Sequence, residues 1–185
     1  MHPSAIRNCQ SFFDVYGKHK DGGSVIDIGS QNVNGSLKEI VPIRFTYTGL
    51  DFQEAPGVDI VLTDPYTLPL PDNSVDIVLS SSCLEHSEFF WLTFDEMVRV
   101  AKPDGLIYLN VPSEGHYHAY PVDCYRFQID ASMALMRWSQ RQGSTVTLIE
   151  AFTDSEKPWH DLVAIYVKSK DFAHTYPDRI DPNEL

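Results

Sequence analysis

The sequence predicts a three-layer α/β fold built on a mostly parallel sheet, with an antiparallel strand near the C-terminus. Short β-branched, apolar segments alternate with segments of helical period, which is typical of parallel strands covered by helices. The first of these strands, residues 24–28, runs directly into Gly29. Two strands stand close together late in the chain, at residues 145–152 and 161–168, and account for the antiparallel strand.

The remaining elements follow from periodicity and from the positions of glycine and proline. Residues 5–16 carry apolar side chains at spacings of three and four, which predicts an amphipathic helix packed on the main body. The segment 35–41 can begin a helix, and Pro42 would end it. Thr93 and Glu96 form a capping-box pattern inside an apolar stripe, which allows a helix break near Thr93. The other predicted strands are 44–52, 58–63, 74–80 and 106–111, and the other predicted helices are 90–101 and 130–142.

The length of 185 residues predicts one domain with a substantial core. Residues 1–170 are expected to form this domain, and residues 1–20 contribute the N-terminal helix packed on it. Residues 171–185 are polar and contain two prolines, so we expect a loose C-terminal tail.

Composition and charge exclude several classes of function. The formal net charge of −12 repels phosphate backbones, which argues against a nucleic-acid partner. The chain has no apolar run long enough to span a membrane, and its first residues lack the apolar core of a signal peptide. The three cysteines match neither a disulfide framework nor metal-ligand spacing, so a reducing cytoplasm is the expected compartment. We expect a monomer or a homodimer.

The segment after the first strand is the first candidate for a ligand site. Strand, glycine turn and helix together present backbone N–H groups to a ligand. Gly29 is followed by five residues and then Gly35, which is neither a Walker A loop nor Gly-x-Gly-x-x-Gly. Taken alone, this loop is equally consistent with a nucleotide-type site and with a plain β–α turn.

Five motifs follow one another over roughly residues 20–115. They are Val25-Ile26-Asp27-Ile28-Gly29-Ser30, Tyr47-Thr48-Gly49-Leu50-Asp51, Leu68 to Val78, Cys83-Leu84-Glu85-His86 and Met97 to Gly105. This ordered series resembles class I S-adenosylmethionine-dependent methyltransferases, and more narrowly the methyltransferase type 11-like domain. The resemblance implies a Rossmann-like sheet, methyltransferase activity and S-adenosylmethionine as the cofactor.

The resemblance also implies which residues contact the cofactor. Asp51 ends the second strand and would accept hydrogen bonds from both ribose hydroxyls, although a strand-ending Asp also makes ordinary turns. Asp27 would contact the ammonium group, unless it is a buried carboxylate already satisfied by the protein. Asp64 would face the adenine amine, unless it is a plain loop residue. The other implied cofactor contacts are Gly29, Ser30, Gln31, Phe52, Pro65 and Ser81.

One departure from the family pattern lies in the first loop. Many members have Gly-x-Gly-x-Gly there, whereas this chain has Gln31 and Val33 at the second and third glycine positions. Side chains at these positions would crowd the cofactor. Asn34 and Gly35 follow directly and tolerate left-handed backbone, which would reopen the turn.

The acceptor is expected to bind near His86, which follows the fourth strand at the edge of the sheet where ligands bind. His86 is the candidate general base, with a packing or capping role as the alternative. Residues 112–127 form a long irregular segment, and such loops are commonly functional. Its candidate acceptor-binding residues are His118, Asp123, Tyr125 and Arg126.

Alternatives remain open for this loop. Asp123 and Arg126 could simply pair with each other and pin the loop. His116, His118 and Asp123 are potential metal ligands, but no matching fourth ligand is evident and no metal is predicted. Trp159 and His160 precede the last strand and are also within possible reach.

Three functions compete. The first is a methyltransferase for a small acceptor such as a sugar or a cell-surface precursor, because the chain has no large inserted substrate domain. The second is a non-catalytic S-adenosylmethionine-binding module that acts with a partner protein. The third, a nicotinamide-dependent oxidoreductase, is disfavoured because Gly-x-Gly-x-x-Gly and Tyr-x-x-x-Lys are missing.

Overall fold

The computed structural model describes residues 2–181. Within this range seven strands form one sheet in the order β3-β2-β1-β4-β5-β7-β6. β7 is antiparallel to both β5 and β6, and the other pairs are parallel, which confirms the predicted fold class. The strands are β1 Gly23–Ile28, β2 Phe45–Asp51, β3 Ile60–Val61, β4 Val75–Ser81, β5 Ala101–Pro112, β6 Thr147–Thr153 and β7 Asp161–Val167.

Three α-helices cover the two faces of the sheet and complete the three layers. Helix α1, Pro3–Val15, buries Phe12 and Phe13 on one face, as its apolar spacing predicts. Helices α2, Phe90–Val100, and α3, Asp130–Arg141, pack on the opposite face in a second apolar cluster. None of the helices within residues 2–181 has the length and apolar run needed to cross a bilayer.

The order and direction of the strands determine where the ligand site lies. The strand order reverses at β1, which lies between β2 and β4, and ligands bind at such switch points. Ile28 at the end of β1 is opposite Leu50 on one side and Ser80 on the other. The next residue of each chain segment therefore emerges at the same edge, and these residues are Gly29, Asp51 and Ser81.

The predicted helix over 35–41 is wrong. The segment forms only a three-residue 3-10 turn, Leu37–Glu39, and the Ser36 side chain accepts a hydrogen bond from the backbone N–H of Lys38. Pro42 follows too closely for a stable α-helix to form, because helix nucleation is costly in short segments. The first loop therefore has no helix N-terminus to offer a ligand.

Other predicted boundaries of strands and helices also differ from those in the structure. The predicted strand 58–63 shortens to β3 because this edge strand pairs with β2 only at Leu50 and Asp51. β5 begins at Ala101, directly after α2, and its register shifts before Leu106. Helix α2 does not break at Thr93, which is buried within it.

The expectation of a loose tail from residue 171 is wrong as far as residue 181. The chain forms a 3-10 segment, Lys170–Thr175, after which Tyr176 is buried. The backbone N–H groups of Ile180 and Asp181 donate to the buried Glu150 carboxylate, at 3.0 and 2.8 Å. Residues 182–185 lie outside the described residues.

Candidate functional site

A cavity of about 520 Å³ opens at the carboxyl ends of β1, β2 and β4, a size suited to a cofactor or small molecule. It has two parts. The strand-end half is formed by residues that follow the parallel strands, and the imidazole half is formed by histidines and other aromatic residues from distant chain segments. The strand-end half comprises Gly29, Gln31, Val33, Asp51, Phe52, Leu62, Pro65 and Ser81, and the imidazole half comprises His2, His86, His116, His118, Tyr120 and Trp159.

Asp51 is the central polar group of the strand-end half. Its side chain is almost fully buried, yet it lines the cavity. The backbone N–H of Gln31 donates to Oδ2 at 3.2 Å, and that of Gln53 donates to Oδ1 at 3.3 Å. These bonds orient the carboxylate, and lone pairs on both oxygens remain for a ligand with two hydroxyls.

Gly29 shapes the same region because its backbone has φ of +82° and packs against Cys83. A Cβ at this position would lie 2.5 Å from the Cβ of Cys83, so only glycine fits. The side chains of Gln31 and Val33 both line the cavity, as the departure from the glycine pattern predicts. Gly35 has φ of +123° with open space around it.

Asp27 lies beneath the cavity and outside its lining. Tyr47 donates its hydroxyl proton to Oδ2 of Asp27 at 2.7 Å. Burial raises the pKa of Asp27 to about 7, the Tyr47 hydrogen bond partly offsets this effect, and the charge of Asp51 adds to it. The alternative reading of Asp27 as a satisfied buried carboxylate therefore agrees with this geometry.

Three other predicted cofactor contacts differ in their position relative to the cavity. Ser81 lines the cavity, and its buried hydroxyl has no hydrogen-bond partner within residues 2–181. Ser30 lies outside the lining, with its side chain packed against Gly49. Asp64 is exposed and also lies outside the lining, where it accepts hydrogen bonds from the backbone N–H of Tyr66 and the hydroxyl of Thr67.

His86 lies in the imidazole half at the end of a 3-10 turn, Leu84–His86. Its Nδ1 is 2.6 Å from the carbonyl oxygen of Val122. Nδ1 therefore carries the proton, and Nε2 keeps its lone pair. Burial lowers the pKa of His86, so the ring is neutral near pH 7 and can accept a proton.

The loop over residues 112–127 is held by an ion pair. Arg126 binds both carboxylate oxygens of the buried Asp123, at 2.6 and 2.9 Å. Asp123 also accepts the backbone N–H of His118 at 2.7 Å, and the arginine side chain keeps the pKa of Asp123 well below its usual range. Of the four predicted acceptor residues, His118 lines the cavity and the other three do not. Asp123 and Arg126 bind each other, and the hydroxyl of Tyr125 donates to the carbonyl of Glu88.

Trp159 is the residue around which the imidazole half is arranged. The rings of His2, His116 and His118 lie 4.8, 5.1 and 4.5 Å from it. Gly115 permits this packing, since a Cβ there would lie 2.3 Å from the indole. Trp159 was within the predicted reach of the cavity, whereas His2 and Tyr120 were not predicted because no local pattern marks them.

Cys83 also lines the cavity and was missed as a site residue, although it lies within a recognised motif. Burial raises the pKa of this thiol far above neutrality, so it is an inert packing group. Among the described residues, the potential metal ligands His116, His118 and Asp123 do not form a metal-binding trio, and Asp123 is ion-paired with Arg126. A different trio, Glu85, His86 and His118, brings one ligand atom from each residue within 4.8 Å of the others.

Comparisons with known proteins agree with this geometry. A family model described as a methyltransferase domain matches residues 32–109. A Mycobacterium tuberculosis phthiotriol/phenolphthiotriol dimycocerosates methyltransferase is 32% identical over an alignment of 133 residues, which covers 64% of this chain and 46% of the relative. The chain spans less than half the length of the curated relatives it matches.

Two solved structures show the same fold. The Burkholderia thailandensis 1,6-didemethyltoxoflavin-N1-methyltransferase, solved with its substrate and S-adenosylhomocysteine, has a TM-score of 0.68 at 16% identity and covers 90% of this chain and 79% of that one. A Haloferax volcanii methyltransferase, solved with the Trm112 methyltransferase activator, has a TM-score of 0.62 at 17% identity and covers 90% and 95%.

The matches and the fold support a class I S-adenosylmethionine-dependent methyltransferase domain, and the matched family model covers residues 32–109 of the chain. Within this class, its match is to the family described simply as methyltransferase domain. S-adenosylmethionine is the cofactor of such a domain, and the strand-end half fits it. Asp51 presents a buried carboxylate to the cavity, Ser81 presents a hydroxyl that has no partner among residues 2–181, and Phe52 presents an apolar ring.

Proposed function

We propose that the chain transfers a methyl group to a small-molecule acceptor, such as a sugar or a cell-surface precursor, in the reducing cytoplasm. The observation that carries the proposal is the cavity that joins Asp51 in the strand-end half to His86 in the imidazole half. The imidazole half, with its histidine and tyrosine side chains, suits an acceptor that carries several polar groups. The three free cysteines, Cys9, Cys83 and Cys124, agree with a reducing compartment.

In this proposal each half of the cavity has its own task. S-adenosylmethionine supplies an electrophilic methyl group on a good leaving group, so alignment provides most of the acceleration. Asp51 holds the cofactor through its ribose hydroxyls. Nε2 of His86 takes the proton from the acceptor's hydroxyl or amine as the new bond forms, and the fixed Nδ1–H keeps the ring in the required tautomer.

The test uses purified protein, labelled S-adenosylmethionine and a panel of sugars and other small polyols. His86→Gln should lower kcat by about 100-fold or more for any acceptor that turns over, while cofactor affinity stays within about twofold. His116→Gln is the matched control, because it makes the same change in the same half of the cavity. Equal losses in the two variants would contradict the role of His86.

The second candidate is a cofactor-binding module that needs a partner protein. It is favoured by the Haloferax volcanii structure, in which a protein of the same fold was solved with a methyltransferase activator. Gln31 and Val33 in the first loop give a physical reason for such a need, because both side chains narrow the strand-end half. Turnover by the purified chain alone would exclude this candidate.

A further inference from the structure

Next to the imidazole half, and outside the cavity lining, lies a carboxylate that the proposed reaction does not use. Glu85 is only 1% exposed, and its Oε2 has no hydrogen-bond partner within residues 2–181. Its Oε1 lies 3.7 Å from Nε2 of His86. A buried carboxylate oxygen without a partner is costly, and a cation bound beside it would remove this cost.

Two histidines next to Glu85 are prepared as metal ligands. Nδ1 of His86 lies 2.6 Å from the carbonyl of Val122, and Nδ1 of His118 lies 3.1 Å from the carbonyl of His116. Nδ1 of His118 also lies 3.4 Å from Nη2 of Arg126 and 3.5 Å from Oδ2 of Asp123. In the tautomer that donates from Nδ1 to an oxygen, each ring keeps its lone pair on Nε2. This is the outer-shell arrangement that orients metal-binding histidines in proteins.

We propose that Glu85, His86 and His118 bind one divalent transition-metal ion, of the kind represented by Zn²⁺. Two imidazoles and one carboxylate are a ligand set for such ions, and three protein ligands leave a position open for substrate. The three ligand atoms already lie within 4.8 Å of one another. Tetrahedral Zn²⁺ needs separations of roughly 3.5 Å, so small side-chain rotations would complete the site.

The open position would face the acceptor, because His86 and His118 both line the cavity. The inference therefore rests on the proposed methyl transfer and defines its acceptor as a molecule with a metal-binding hydroxyl. A coordinated hydroxyl ionises more readily; its oxygen–carbon bond forms as the carbon–sulfur bond of the methyl donor breaks, and its proton leaves to water. His86 is then a ligand, and it acts as the base only in the metal-free protein.

The test is calorimetric titration of chelator-treated protein, prepared without a histidine tag, with ZnCl₂ and separately with CoCl₂. One ion should bind per chain, and Co²⁺ should give visible absorption bands of a low-symmetry site. Glu85→Gln and His118→Gln should each weaken binding at least tenfold. His116→Gln, which alters the neighbouring ring but not the trio, should stay within about twofold of the unmodified protein.

Two results would contradict the proposed metal site. The proposal fails if the unmodified protein binds neither ion, or if His116→Gln weakens binding as much as the trio variants. His118→Gln keeps the test valid if Glu85→Gln does not fold, because His118 lies on the surface loop. Labelled S-adenosylmethionine and the acceptor panel, given to the same samples, separate the two proposals. Turnover by a protein that binds neither ion removes only the metal site, whereas ion binding without turnover of any acceptor removes only the proposed function.

Discussion

The two halves of the cavity are built in different ways. The strand-end half takes Gly29, Asp51 and Ser81 from positions directly after paired strands, so the hydrogen-bonded ladder sets their places. The imidazole half takes His2, His86 and Trp159 from distant parts of the chain and holds them by ring contacts and loop hydrogen bonds. The sheet therefore positions the three strand-end residues, whereas the imidazole half depends on the loop over residues 112–127 and on the ion pair that holds it.

Removing the ion pair between Asp123 and Arg126 should destabilise the imidazole half and leave the strand-end half unchanged. Arg126→Gln leaves the nearly buried carboxylate of Asp123 without its cation, which should cost about 3 kcal/mol in the free energy of unfolding. Denaturant unfolding measures this loss, and S-adenosylmethionine affinity should stay within about threefold. Arg137→Gln on the exposed surface of α3 is the control and should change stability by less than about 0.5 kcal/mol. Equal costs in the two variants would mean that the pair does not hold the loop.

Removing the Asp51 carboxylate should impair the strand-end half and leave the imidazole half unchanged. Asp51→Ala deletes the oriented carboxylate and should weaken S-adenosylmethionine binding about 100-fold, which corresponds to roughly 2.7 kcal/mol. Calorimetry measures the effect. Asp64→Ala removes an exposed carboxylate that lies outside the cavity lining, and it should change affinity by less than about threefold. If Asp64→Ala weakens S-adenosylmethionine binding as much as Asp51→Ala does, the result would support the predicted contact between Asp64 and adenine.

Two glycine substitutions test how much the steric contact with Cys83 contributes in the strand-end half. Gly29→Ala must accommodate both a left-handed backbone and a Cβ 2.5 Å from that of Cys83, and should cost about 2 kcal/mol of stability. Gly35→Ala shares the positive φ but meets nothing within 4 Å, so it should cost about 1 kcal/mol. Denaturant unfolding of both variants isolates the contact with Cys83, and equal costs would show that this contact is unimportant.

The smallest expected effect concerns Asp27 and depends on pH. Its folded pKa of about 7 lies above the usual value of 3.8, so the folded protein holds this proton more tightly than the unfolded chain. Stability is therefore lost as pH rises from about 4 to about 7. Asp27→Asn removes this loss and should raise the free energy of unfolding at pH 8 by on the order of 1 kcal/mol, with no gain at pH 4. A gain that is independent of pH would contradict the raised pKa.

The same contrast explains what the sequence could predict. β1, β2 and β4 have local β-branched patterns, and the motifs at their ends resemble a known family. Asp51 and Ser81, which the sequence predicts as cofactor contacts, both line the cavity, and their contact with the cofactor stays a prediction. Asp64 also follows a strand, yet its carboxylate closes a local turn instead of facing the cavity. The helix over 35–41 was wrong because Pro42 limits its length, which a propensity argument underestimates.

The imidazole half was less predictable, because its contacts join residues that are far apart in sequence. Nothing near Glu85 marks it as a partner for His118, and nothing near His2 indicates that its ring packs on Trp159. Arg126 and Asp123 looked like acceptor ligands and equally like a loop-pinning pair, and their bidentate geometry favours the second interpretation.

The most direct measurement is calorimetric titration of the purified chain with S-adenosylmethionine and, separately, with NAD. The account predicts micromolar binding of S-adenosylmethionine and no measurable binding of NAD. Binding of NAD, or failure to bind S-adenosylmethionine at millimolar concentration, would contradict the assignment of the strand-end half as its cofactor site.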